Sequence, residues 1–161
     1  MSYLCQRRVG YTLIELLISI SITLILITFG LSAYRQMQAS QTVAAAESSI
    51  LTILTDAEKK AAIGYKDPTC IGPYLGIQIA VSAGGNTMTS QALCQGGNGA
   101  VVTYTIANAA FSAANSLIFQ PLAQGVSLSG GSSLNLDYTL SGSTYRFVIT
   151  NSGNITYKGK Q

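Results

Sequence analysis

The 161 residues are enough for one domain plus a long helix, and the 9% share of charged side chains is far below the roughly 25% of ordinary soluble domains. The chain has no histidine and no tryptophan, so the commonest general base and the commonest zinc ligand are both missing. The formal charge of +3 includes Arg7 and Arg8, which precede a long apolar run; without them seven basic side chains face six acidic ones. Strong overall basicity, as expected of a general nucleic-acid binder, is therefore excluded.

The apolar run covers 13–31 and carries no proline and no charge except Glu15. As a helix its nineteen residues rise about 29 Å, against a bilayer core of about 30 Å. A carboxylate in such a segment costs about 2.5 to 3.5 kcal/mol at the bilayer centre and less near the edge, so Glu15 calls for a partner. One reading is an uncleaved signal anchor, flanked by Arg7 and Arg8, whose acid reaches the headgroups. The first ten residues are too few and too polar for a secretory leader with its own apolar region, and they end in Gly10.

Gly10-Tyr11-Thr12-Leu13-Ile14-Glu15-Leu16-Leu17 resembles the prepilin motif of type IV pilins and type II secretion pseudopilins, in which Gly is followed by an aromatic, Thr, Leu, Ile and Glu. Tyr11 stands where Phe is more usual. The resemblance implies that a prepilin peptidase removes 1–10 on the cytoplasmic side by cutting after Gly10 and methylates the new amino group of Tyr11. It also implies a bacterial inner-membrane protein that later joins a pilus or pseudopilus through contacts with other pilin subunits. The chemistry of Glu15 fits that assembly independently: in a bundle of helices an acid at one N-terminal end can face the free amine of a neighbour, each charge offsetting the desolvation of the other.

From Leu31 to Gly64 there is neither proline nor glycine, so the helix is expected to continue to about Ile63, 11–35 as its membrane and assembly half and 36–63 as its outer half. Over 11–63 that amounts to about 80 Å. Gly30 is a candidate soft point, with no proline nearby to enforce a break. Val43, Ile50, Leu54, Ala57 and Ala61, broadened by Ile53, fall on one face that would pack on a domain, and Gly64 reads as the C-cap.

Beyond Gly64, Gly, Ser, Thr and Asn separate short β-prone runs. Strands are expected over 76–82, 100–107, 116–119, 132–140, 144–150 and 154–158, the last three as a meander closed at Ser141-Gly142-Ser143 and Asn151-Ser152-Gly153. The glycine-rich segments 84–85, 96–99 and 125–131 read as loops. The fold class is α+β and pilin-like: a long N-terminal helix, its first half membrane-spanning, packed against an antiparallel sheet in one domain, 36–161, placed in the periplasm or outside the cell.

Cys5 falls in the leader, whereas Cys70 and Cys94 fall in the exported domain, where an even pair suggests a disulfide; two buried free thiols are the alternative. Many major type IV pilins have their disulfide near the C-terminus, so this position points to a minor pilin or pseudopilin. Residues 116–125 and the closing 151–158 loosely resemble minor pilins and pseudopilins of the GspH/FimT type, in which an apolar-Phe-x-Pro-x-Gly segment precedes hairpins and a Gly-Arg strand; here Gly153-Asn154 replaces Gly-Arg. Some members of that type bind DNA during uptake. Arg146, Lys158 and Lys160 are the candidate DNA contacts, yet three cations give only weak, salt-sensitive binding, and solvated surface residues are the favoured reading. No catalytic set, metal site or cofactor is expected, since Ser-His pairs, phosphate loops and metal-ligand spacings are all missing. The function this supports is a minor pilin in or at the tip of a type IV pilus, with a GspH-like pseudopilin or a competence pilin as alternatives.

Overall fold

The computed structural model describes residues 12–129 and 131–161. Its long helix α1 (Leu13–Ala62) runs through Gly30 without interruption and, among the described residues, is followed by nine strands. The chain divides into two units, Met1–Gln41 and Thr42–Gln161.

In the first unit the described apolar side chains of α1 are exposed: Leu13, Leu17, Leu24 and Phe29 are all more than half exposed. The hydroxyls in this stretch bond back to the helix itself: Ser19 donates to the Glu15 carbonyl at 2.8 Å, Ser21 to Leu17 at 2.8 Å and Thr23 to Ser19 at 2.7 Å. That internal satisfaction is what an apolar surrounding demands of every polar group.

In the second unit the outer part of α1 buries Ala46, Ile50, Ile53, Leu54, Ala57 and Ala61, with Val43 partly buried beside them. The helix ends in a Schellman motif. Gly64, at φ +68, donates to the Ala61 carbonyl at 3.0 Å and Tyr65 donates to Lys60 at 2.8 Å. The Lys60 ammonium lies 5.7 Å from the Tyr65 ring centroid and 2.7 Å from Asp56, one turn back.

Two antiparallel sheets complete this unit. One has the order β3-β2-β1-β5-β6, with β1 (Tyr74–Val81), β2 (Thr87–Cys94), β3 (Val102–Thr105), β5 (Asn115–Phe119) and β6 (Val126–Leu128). The other has the order β4-β7-β8-β9, with β4 (Ala109–Phe111), β7 (Ser133–Leu140), β8 (Ser143–Thr150) and β9 (Ile155–Lys160). Both contribute to one core with the helix, through Ile77, Ile79, Leu117 and Phe119 from the first and Leu136, Tyr138, Phe147 and Ile149 from the second.

The meander β7-β8-β9 forms as its alternation predicts. Ser141 and Gly142, at φ +52 and +77, make the two-residue turn between β7 and β8, a geometry that matches the twist of paired strands. Elsewhere the strand reading needs correction. The whole of β2 was not expected, because its inward residues Met88, Ala92 and Cys94 are small or flexible rather than β-branched. It is held instead from both sides, by β1 and β3. Residues 125–131, expected as a loop, contain β6, and 100–107 shortens to β3 with the separate β4 beyond it. Gly125 lets the Val126 N–H reach the Asn151 carbonyl at 2.8 Å, joining the edge of one sheet to the β8–β9 turn of the other. At φ +96, a side chain on Gly125 would also collide with that carbonyl oxygen.

Candidate assembly segment and disulfide-clasped domain

The first helical turn is built by Thr12. Its Oγ1 accepts the Glu15 N–H at 3.3 Å, and its carbonyl accepts Glu15 N–H at 3.1 Å and Leu16 N–H at 3.2 Å. Thr12-Leu13-Ile14-Glu15 therefore has the Thr-x-x-Glu spacing of a capping box, with Glu15 in the turn where the helix dipole favours a negative charge. The role of Thr12 as cap was missed in the sequence, although the spacing displays it. Glu15 is exposed, at the start of an apolar span none of which is buried in the structure. By length and composition that part of α1 suffices to cross a membrane. Gly10 and Tyr11, the expected cleavage and methylation sites, lie outside the described residues, as does Cys5.

Cys70 and Cys94 form a disulfide with Cα atoms 5.6 Å apart. It ties the segment after α1 to the end of β2, and a loop of that length adds about 3 to 4 kcal/mol by chain entropy. Backbone bonds tighten the clasp: Ile71 donates to Gly97 at 2.9 Å, Gly96 to Ile71 at 2.9 Å and Gln95 to Pro73 at 3.0 Å. Lys66 caps the Gly72 carbonyl at 2.9 Å. The Thr69 hydroxyl and amide both donate to Asp67, which holds that carboxyl below its ordinary range. The chain end has no such clasp and is secured by β-pairing of β9 to β8.

The three candidate DNA contacts are not brought into one patch. Arg146 lies directly opposite Asp137 across β7–β8 and donates to both its carboxylate oxygens, at 2.7 and 2.8 Å. This bidentate bond raises the guanidinium pKa further and offsets its charge locally. Lys160 pairs in register with Tyr145, the neighbour of Arg146, so the two cations fall on opposite faces of the sheet. Lys158 is exposed at a register shift opposite Arg146 and Phe147. A charged residue at an irregularity on an edge strand is a common guard against edge-to-edge aggregation. Among the described residues no group of three His, Cys, Asp or Glu side chains comes together.

Residues 7–31 match the family model described as the prokaryotic N-terminal methylation motif. No curated protein and no solved structure matches the chain significantly. The matched segment takes in Arg7, Gly10, Glu15 and the apolar stretch to Leu31, and it is followed by antiparallel sheets. The chain thus carries, ahead of an α+β body, the N-terminal signature of the type IV pilin and pseudopilin superfamily.

Proposed function

We propose that this protein is a minor pilin of a type IV pilus, cut after Gly10, methylated on Tyr11 and assembled with other pilin subunits through the apolar part of α1. The observation that carries the reading is the join of the methylation motif to a capped, self-satisfied apolar helix with a lone acid, Glu15, at its first turn. In this account the helix rests in the inner membrane before assembly, and Glu15 pairs with the methylated amine of an adjacent subunit once both leave lipid. The Cys70–Cys94 disulfide supports exposure of the domain to an oxidising compartment, and its position between α1 and β2, rather than at the chain end, supports a minor over a major subunit. Pairing of Arg146 with Asp137 leaves too little free positive charge at the C-terminus to favour the competence reading.

Deleting the gene distinguishes the machines. Filaments sheared from wild-type cells are expected to contain the mature chain, and the deletion strain is expected to lose or thin its filaments with protein secretion intact. Normal filaments with secretion lost would instead make the chain a pseudopilin of the GspH type.

A further inference from the structure

The four sheet edges are unequally protected. Strand β9 carries Lys158 and Lys160 and a register shift, and β4 and β6 are three residues long. Short, charged or irregular edges resist further pairing. Strand β3, one residue longer than β4 and β6, carries neither a charge nor a register shift. From Gly99 to Phe111 there is no charge and no proline, and Val101, Val102, Thr103 and Thr105 are all exposed.

Its hydrogen-bonding parity follows from one contact. Ile106 donates to the Asn86 carbonyl at 2.7 Å, so position 106 faces β2. Alternation then turns Tyr104 and Val102 toward Met88 and Ser90 of β2, and sends the N–H and C=O groups of Thr103 and Thr105 outward. Among the described residues, β3 pairs with β2 alone.

We propose that this edge binds the same edge of a second copy of the chain, antiparallel about Thr103. The occupant is a copy because the strand is complementary to itself. Centred on Thr103, that residue meets its own counterpart and Thr105 comes opposite Val101 of the other copy. The Thr103 pair is then a hydrogen-bonded pair, with its outward N–H and C=O groups answered. Val102 falls opposite Tyr104, a β-branched residue against an aromatic, and Thr103 against threonine; both are favourable cross-strand pairs. With no charge on the strand, no like charges meet across the two-fold axis. The two five-stranded sheets become one continuous sheet.

The test uses the full chain in its membrane with Cys5→Ser as background. Thr103→Cys places two thiols on directly opposite Cα atoms about 5.5 Å apart, within disulfide range. Mild oxidation is expected to give a homodimer on a non-reducing gel, and Val102→Cys, displaced from its own counterpart, to give little. A Val101→Cys, Thr105→Cys variant is expected to cross-link as well, since each thiol meets the other kind across the seam. Adding Thr103→Lys, which sets two cations face to face at an exposed position, is expected to cut that cross-link about tenfold. Absence of homodimer from both thiol variants, equal cross-linking at 102 and 103, or adducts only with a different protein would each overturn the proposal.

Discussion

Glu15→Val is expected to give a chain that inserts, matures and folds, yet fails to enter a filament. The helix start survives the change, because Thr12 caps it through the Glu15 amide and not through its side chain. Membrane insertion becomes easier, since a carboxylate leaves the apolar span. What disappears is the partner for a neighbour's terminal amine. Breaking one side of a desolvated ion pair costs about 3 to 5 kcal/mol, equivalent to a loss of incorporation of about a hundredfold or more. Glu15→Asp, which keeps the charge on a shorter stem, is expected to recover part of it. The readout is the ratio of subunit in sheared filaments to subunit in membranes, and wild-type incorporation of the valine variant would refute the paired-charge role.

Phe147→Ala is expected to destabilise the folded domain by about 3 to 5 kcal/mol, the range for deleting a buried aromatic ring. Phe147 is 0% exposed, in the centre of β8 opposite Leu136. Its ring centroid lies 5.0 Å from that of Tyr157 and 6.2 Å from that of Tyr138. These neighbours come from strands on either side, so they cannot close over the space without disturbing the meander. Leu122→Ala is the contrasting case: its side chain is 76% exposed, and a change within about 0.5 kcal/mol is expected. Denaturant unfolding of the full chain in detergent measures both, and a Phe147→Ala cost below about 1 kcal/mol would mean that the core is not built around this ring.

The features legible in the sequence are those set by local rules. The helix face through Ile50, Leu54, Ala57 and Ala61 follows from the 3.6-residue period, and Gly64 from the positive φ that a Schellman end requires. The β7–β8 hairpin follows from strict alternation on both sides of a Ser-Gly turn. Illegible features depend on tertiary context. Thr-Met-Thr-Ser-Gln-Ala-Leu-Cys has little intrinsic strand preference and becomes β2 because strands flank it on both sides. Val126–Leu128 is too short to stand out among glycines and serines and is fixed by pairing with β5. The charge balance of Arg146 was equally hidden, because only the register of β7 against β8 reveals that Asp137, nine positions earlier, lies opposite it.

We propose that the N-terminal segment is a processed assembly element and not a permanent anchor. The intact mass of the chain extracted from membranes tests it most directly. The expected mass begins at Tyr11, with one methyl group on its amino nitrogen and the Cys70–Cys94 disulfide in place. A mass that retains Met1 to Gly10, or one that begins beyond Leu31 after loss of the whole apolar run, would contradict it.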